Sequence, residues 1–410
     1  MTEFFRVVPP ARVLEMLALF DRLGNERVKL EESPGRVLAE PIVSPEDIPP
    51  WPRATMDGYA VRAEDTFGAS DSLPALLRVA GRVEMGRRPE FAIGAGMAAA
   101  IATGGFLPEG ADAVQMVEYA NPAGRGEVEI TRPVTGGENV LGPGEDVRAG
   151  EELVRPGRRI RPQDVGIMAA LGKTEVTVFK KPRVALISTG NEIVPITEKP
   201  APGRVRDTNT YSIGALIRSA GAEAFPLGIV PDDAAALRSA LLRGLAEGDA
   251  VAATGGSSVG ERDLMAAVIA DLPGSQILVH GVAIAPGKPT MLASVSGKAL
   301  FVLPGHPVSA MVTAQLFLAP FLRHLEGEDV ATGYGSRTVE AILAASIASS
   351  PGREEYVRVR LEEKEGRRYA HPVFGRSGML STMVRSDGLV RVPIHAEGIA
   401  RGETVEVVLF

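Results

Sequence analysis

Three short segments of this 410-residue sequence pair glycine with carboxylates, hydroxyls or histidine at spacings suited to anion chemistry, STGNE at 188–192, TGGSSVGERD at 254–263 and LPGHP at 303–307, and a fourth, VPDD at 230–233, sets two aspartates side by side. Glycine lets backbone N–H groups approach an anion, and a helix that starts directly after such a loop adds partial positive charge. Thr254, Gly255 and Gly256 therefore read as a phosphate cradle. The same loop, Gly256-Ser257-Ser258-Val259-Gly260, also matches the G-x-S-x-G elbow of serine hydrolases, with His280, His306 and His324 downstream. A third reading is a strand-to-helix turn without a ligand. Neither GxxxxGK[ST] nor GxGxxG occurs, which removes the two commonest phosphate-loop patterns.

Carboxylates stand in the same segments: Glu192, Asp232, Asp233 and Asp263. An aspartate at the head of a helix is ordinarily a cap, and either Asp232 or Asp233 suits that role before DAAALRSALL. Gathered around a phosphate, these carboxylates would repel it unless a hard cation intervened, and Mg²⁺ prefers carboxylate and phosphate oxygens. Two further segments, TMDGYAVR with Asp57 and IATGGF with Thr103, taken alone read as turns sooner than as sites.

The elements that must position these residues follow from periodicity. From about 176 to 327, continuous apolar runs (RVALIST, EAFPLGIV, DAVAATG, ALFVLPG) alternate with amphipathic stretches, the pattern of a parallel sheet covered on both faces. Ligands of such sheets bind beyond the carboxyl ends of the strands, where the four segments lie. Residues 45–143 carry short alternating runs cut by glycines, which predicts a β-rich domain. The last 80 or so residues revert to strand-like runs and predict a small barrel or sandwich. Helices are expected over 11–22, with Val13, Leu14, Leu17 and Phe20 on one face, and over 161–173, stopped by Gly172. EPIVSPEDIPPWPRA reads as an extended linker.

Composition narrows the function. A net charge of −7, from 44 Lys and Arg against 51 Asp and Glu, without a long basic block, argues against nucleic acid. The absence of cysteine excludes disulfides, thiolate metal sites and cysteine nucleophiles. No basic region followed by an apolar core opens the chain, and no apolar run approaches the roughly 20 residues that span a bilayer, so a cytoplasmic protein is expected.

TMDGYAVR, TGG, STGNE, TGGSSVGERD, APGKP and LPGHPVSA, in that order, resemble the molybdopterin molybdenumtransferase family, the MoeA type that includes the C-terminal part of gephyrin. The resemblance covers essentially the whole chain. It implies insertion of molybdate into adenylylated molybdopterin with release of AMP and a requirement for Mg²⁺. It also implies a multidomain α/β plus β fold: a discontinuous linking domain at 1–44 and 144–175, the β-rich insertion domain at 45–143, a three-layer α/β domain at 176–327 and a C-terminal β-barrel at 328–410. A homodimer is implied, its cleft shared between subunits.

By matching motif, Asp57 and Thr103 would come from the partner subunit, and Glu192, Asp232 and Asp263 would line the α/β side and hold the metal. Thr254, Gly255, Gly256, Ser257, Ser258, Gly260, Pro304, Gly305 and Pro307 would receive the substrate. Lys288, Pro289, Arg353 and Ser377 would bind molybdate, a dianion suited to a lysine, a guanidinium fork and a hydroxyl. Two departures stand out. Ala285 replaces the first lysine of the family's usual KPGKP, with His280 a nearby substitute, and His306 replaces the asparagine of LPGNP. Other readings are an adenylyltransferase acting on molybdopterin, a tungstate-specific paralogue, a serine hydrolase and a non-catalytic scaffold.

Overall fold

The computed structural model describes residues 7–255, 259–328 and 338–410, without the side chains of 259–263. The chain forms two compact units, one of Met1–Glu40, Pro156–Gly166 and Lys173–Phe410, the other of Pro41–Arg155 and Ile167–Gly172.

The first unit is organised on a six-stranded sheet. Its elements, in chain order, are β1 (Arg183–Thr189), α1 (Asn209–Ser219), β2 (Glu223–Val230), α2 (Ala234–Glu247), β3 (Ala250–Thr254), α3 (Val259–Ala270), β4 (Ser275–His280), β5 (Met291–Val295), β6 (Lys298–Leu303) and the long helix α4 (Pro307–Leu325). The strand order is β2-β1-β3-β6-β5-β4, the first four parallel to one another and β5 antiparallel to both of its neighbours, β6 and β4. The sheet is thus mixed, not wholly parallel as the sequence pattern predicts. The hairpin of β4 and β5 extends it because the ten residues between these strands are too few for a helical crossover and return the chain as an antiparallel pair.

Strand period two divides the core. Val184, Leu186, Ala250, Ala252, Phe301 and Leu303 face one buried cluster with α1 and α4, whereas Ala185, Ile187, Val251, Ala253, Leu300 and Val302 face another with α2 and α3. Both faces are covered, which is why the strands read as unbroken apolar runs. Each Leu or Phe buried this way stabilises the fold by about 1.5–3 kcal/mol. Gly244 of α2 lets that helix sit close, since a Cβ there would lie 3.0 Å from both Ala185 Cβ and Val251 Cγ2.

Helix α4 corrects the membrane expectation: its 19 residues are long and apolar enough, by length and composition, to cross a bilayer. It is instead a core helix, 78% buried along its most apolar window. Phe321 packs on Phe301 at 5.2 Å and on Phe20 at 5.3 Å. The N-terminal helix, expected over 11–22, spans only Pro10–Leu17, because the amides of Ala18, Leu19 and Phe20 reach back three residues in tight turns. Phe20 nonetheless stays buried. Behind α4, Arg159 donates to Glu326 at 2.6 Å and Glu328 at 2.7 Å. Burial pushes the Glu326 carboxyl above its ordinary range despite the opposing pull of Arg159.

The C-terminal part of this unit is a closed barrel of β7 (Thr338–Leu343), β8 (Glu354–Lys364), β9 (Arg367–Pro372), β10 (Gly388–Val392) and β11 (Thr404–Leu409). The ring runs β8-β9-β7-β11-β10 and returns to β8. Closure removes the exposed edges that five short strands would otherwise present.

The second unit carries another six-stranded sheet, with Gly58–Val61, Met97–Ile101 and Ala75–Arg82 at its centre. The predicted linker is an ordered part of this unit: Ile42–Val43 pairs with Glu152–Val154, Ile48 bridges Val147, and Arg53–Ala54 pairs with Val140–Leu141. The prolines at 41, 45, 49, 50 and 52 interrupt this stretch with extended backbone, and here that conformation is used in short edge pairings.

Candidate functional site

A cavity of about 570 Å³ opens at the carboxyl ends of β1, β3 and β6. Ser188, Thr189 and Glu192 reach it from β1, Thr254 and Gly255 from β3, and Gly305, His306 and Pro307 from the β6–α4 turn. Gly378 and Leu380, in the barrel segment between β9 and β10, complete its wall. The strand-end rule therefore brings together three of the four sequence segments.

The floor is a buried polar cluster centred on Asp207. Its Oδ1 accepts from Ser188 Oγ at 2.9 Å and from the Thr210 amide at 3.1 Å, and Ser188 Oγ also lies 3.0 Å from Thr210 Oγ1 and 3.3 Å from Thr254 Oγ1. These bonds account for a carboxylate that is only 6% exposed. Beside it, Asn209 donates to the Gly305 carbonyl at 2.8 Å, while its buried Oδ1 has no hydrogen-bond partner among the described residues. An unpaired buried acceptor costs about 1–3 kcal/mol, which a ligand donor would recover.

Gly255 is required here. Its φ is +149°, and a Cβ would lie 1.9 Å from Thr189 Oγ1 and 2.5 Å from the Thr189 carbonyl. The ends of β1 and β3 meet this closely only without a side chain. The Gly255 amide donates to Leu303 O at 3.3 Å, so a phosphate cradle in this loop must draw its donors from the residues that follow. Gly256, Ser257 and Ser258 lie outside the described residues, as do the side chains of 259–263, including Gly260 and Asp263. Pro304 is buried behind the cavity wall.

Glu192 is exposed at the rim. Asp232, half-buried at the end of β2, accepts from the Asn191 amide at 3.1 Å and its own amide faces Asn191 Oδ1 at 3.4 Å, so it is fixed beside the residue preceding Glu192. The capping role belongs to Asp233, which accepts from the Ala236 amide at 2.9 Å. Arg204 and Arg206 also line the cavity and supply positive charge. Among the described residues, no three carboxylates or histidines gather closely enough to form a metal cluster by themselves.

The residues expected to bind molybdate lie around the barrel. Ile284–Ala285 runs parallel to the start of β8, with the Glu354 amide donating to Ala283 O at 2.8 Å, and the Val282 amide donates to Lys288 O at 2.9 Å. These pairings bring the exposed Lys288, half-buried Pro289 and exposed Arg353 onto neighbouring backbone. His280 closes the base of the same loop, opposite Met291. Ser377 is tied to the cavity through its carbonyl, which accepts from the Val308 amide at 3.1 Å.

Arg358 supports that segment. It is 6% exposed on β8 and donates to Gly375 O at 2.8 Å and Val373 O at 3.4 Å. Burial lowers its pKa. Sequence reasoning passes over Arg358 because an alternating VRVRL strand predicts both arginines outward. It passes over Asp207 and Asn209 because RDTN before a helix reads as capping, a role Asp207 does fill at Thr210.

In the second unit, Asp57 Oδ1 accepts from the Thr103 amide at 2.7 Å and from Thr103 Oγ1 at 2.9 Å. The amide first, then the hydroxyl, holds the Asp57 carboxyl below its ordinary range. The following Gly58 begins a strand rather than a turn, and a Cβ there would lie 1.8 Å from Gln115 O. The sequence thus pairs Asp57 and Thr103 without predicting their contact.

Known proteins share this architecture from end to end. The MoeA N-terminal region (domains I and II) matches residues 8–172, the probable molybdopterin-binding domain matches 185–324, and the MoeA C-terminal region (domain IV) matches 340–410. The molybdopterin molybdenumtransferase of Nostoc sp. is 33% identical over 93% of this chain and 88% of its own. That of Bacillus subtilis is 30% identical over 98% and 94%. The crystal structure of the molybdopterin biosynthesis protein MoeA from Pyrococcus horikoshii superposes with a TM-score of 0.85 at 33% identity, covering 99% of this chain and 100% of that one.

Proposed function

The chain belongs to the MoeA family of molybdopterin molybdenumtransferases, a transferase family of molybdenum cofactor biosynthesis, and we propose that it inserts molybdate into adenylylated molybdopterin and releases AMP. The observation that carries this reading is the 570 Å³ cavity, where a buried acceptor unpaired among the described residues, two arginines and a glycine-only backbone approach meet at the strand ends. The Asn209 acceptor suits an amino or hydroxyl donor of a nucleoside, and Arg204 and Arg206 suit its phosphate.

Glu192 and Asp232 fit Mg²⁺ in the manner that ion prefers, with one or two carboxylates from the protein and the remaining ligands from phosphate and water. They would hold it together with Asp263; bound there, it would neutralise phosphate oxygens. The protein's own tasks are separable. Asn209 orients the nucleoside, the STGNE and VPDD carboxylates orient the oxygen nucleophile that cleaves the adenylate bond, and Lys288, Arg353 and Ser377, with Pro289 shaping the site, bind molybdate.

In this proposal the protein is a cytoplasmic homodimer with the four domains bounded as above. Asp57 and Thr103 of the partner subunit complete the cleft, and an upstream adenylyltransferase supplies the substrate. Calorimetric titration with AMP and Mg²⁺ tests the nucleotide end. Asn209→Leu is expected to weaken AMP about tenfold, the equivalent of one hydrogen bond. AMP affinity unchanged in Asn209→Leu, in a protein with native melting behaviour, contradicts the reading.

A further inference from the structure

A second cavity, of about 620 Å³, is lined entirely by residues of the β-rich unit, and of these only Gly104 belongs to a family motif. Trp51 and Phe106 form one wall, with ring centroids 5.7 Å apart and planes inclined by 32°. The Arg88 guanidinium lies 5.6 Å from the Phe106 centroid, and Arg53, Arg87 and Met85 line the remainder. Trp51 is 45% exposed and Met85 56%, large apolar surfaces left open beside clustered positive charge.

No carboxylate lines the cavity, so three arginines carry its whole charge in a chain whose net charge is −7. Arg87 pairs with Glu84 at 3.1 Å, but both side chains are well exposed and solvent screens them. Neither Arg53 nor Arg88 has a carboxylate partner among the described residues. Like charges held this close repel one another until an anion joins them.

The aromatic wall is set before any ligand arrives. Residues 51–54 and 104–107 run side by side as a ribbon: the Ala54 amide donates to Gly105 O at 2.9 Å, the Gly104 amide to Ala54 O at 2.7 Å and the Leu107 amide to Pro52 O at 3.2 Å. This pairing fixes Trp51 against Phe106, and a ring that stacks there has little side-chain freedom to remove.

A bare oxyanion would leave the aromatic wall unused. A neutral ring would leave the three guanidinium groups unneutralised, and a ring with one negative charge would match only one of them. A planar base joined to a chain of several negative charges uses the whole lining, since aromatic faces stack bases and guanidinium forks accept phosphate oxygens. The volume falls in the range of small-molecule sites, about 300–1,000 Å³.

We propose that this cavity is a nucleoside-triphosphate site distinct from the strand-end cavity, with Trp51 and Phe106 carrying the base and Arg53, Arg87 and Arg88 the phosphates. All of its lining residues belong to one unit, so the site is complete there. It goes beyond the proposed reaction and does not rest on it.

Trp51 is the single tryptophan of the sequence, so the site carries its own probe. ATP is titrated into the full chain, without Mg²⁺ so that its phosphate charge is free, and Trp51 emission is followed with excitation beyond the adenine band. Saturable quenching is expected, with affinity about tenfold weaker in Arg53→Gln and in Arg88→Gln, the loss of one charge-assisted contact each. Both side chains are exposed, and circular dichroism verifies that the variants fold. Adenosine and tripolyphosphate each lack half of the ligand, and AMP offers one phosphate to three arginines. Each should displace ATP only at concentrations at least about tenfold higher. Asn209→Leu, which alters the strand-end cavity, should leave the quenching unchanged.

Non-saturable quenching, unchanged affinity in both folded arginine variants, or weaker quenching in Asn209→Leu overturns the proposal. So does tripolyphosphate or adenosine that competes as well as ATP, which would reduce the lining to an anion patch or a ring-binding face. A wild-type chain that quenches as described but inserts no molybdate removes the functional reading and leaves this site; insertion without saturable quenching removes the site and leaves the function.

Discussion

Gly255→Ala probes the junction on which the first cavity depends. The new Cβ would lie 1.9 Å from Thr189 Oγ1 and 2.5 Å from Thr189 O, distances that real Cβ atoms do not show, so the ends of β1 and β3 must part by about 1 Å. The backbone at φ +149° adds a penalty of about 1–3 kcal/mol for a residue other than glycine. Overpacking adds about 1–3 kcal/mol more. A total of about 2–6 kcal/mol predicts a melting temperature lower by roughly 5–15 °C. Differential scanning calorimetry reads that shift, and AMP titration below the lowered melting point reads the cavity, where an affinity loss of about tenfold or more is expected. Thr189→Ala in the same chain removes the 1.9 Å contact but leaves the carbonyl at 2.5 Å, so rescue should be partial. A Gly255→Ala chain that melts and binds AMP like wild type refutes the argument, and full rescue by Thr189→Ala refutes the backbone part of it.

Other expectations follow from the same geometry. Arg159→Leu strands the buried Glu326 carboxylate and should cost about 3–5 kcal/mol, read by denaturant unfolding. Because burial raises the Glu326 pKa above 4.5, its stabilising contribution is present below that value and is lost as pH rises through the folded pKa; Glu326→Gln should therefore gain on wild type as pH rises. Asp57 has the opposite sign: its depressed pKa makes the contribution present above the ordinary carboxylate value and lost as pH falls through the folded one. Carboxyl NMR should place its midpoint below 3.8 in wild type and nearer that value in Thr103→Val. Arg358→Met should release the segment that carries Ser377, raising KM for molybdate about tenfold while AMP affinity changes little; equal KM contradicts its positioning role.

The α/β core was legible because its strands are covered on both faces: Val184–Ile187, Ala250–Ala253 and Leu300–Leu303 are apolar without interruption, a pattern a half-exposed strand does not produce. The antiparallel hairpin was missed because Ser275–His280 and Met291–Val295 are short and lie between loops rich in glycine and proline. Strand-end loops were identifiable by rule, and three of the four do meet. What could not be read was convergence between distant segments. Nothing local in RDTN reveals that Asp207 receives Ser188, nor in PPWPRA that Trp51 faces Phe106 across a ribbon. The proline-rich stretch was misread for the same reason, since extended backbone is identical in a linker and in an edge strand until its partner is known.

In the proposed reaction the carboxylates at the ends of β1 and β2 serve cleavage of the adenylate bond. Purified chain is mixed with adenylylated molybdopterin, molybdate and Mg²⁺, and AMP release is followed together with molybdenum bound to the pterin product. One AMP released per molybdenum incorporated is predicted for wild type, with both falling at least about a hundredfold in Glu192→Gln and Asp232→Asn while AMP still binds. Wild-type turnover in both variants would exclude these carboxylates from the cleavage step.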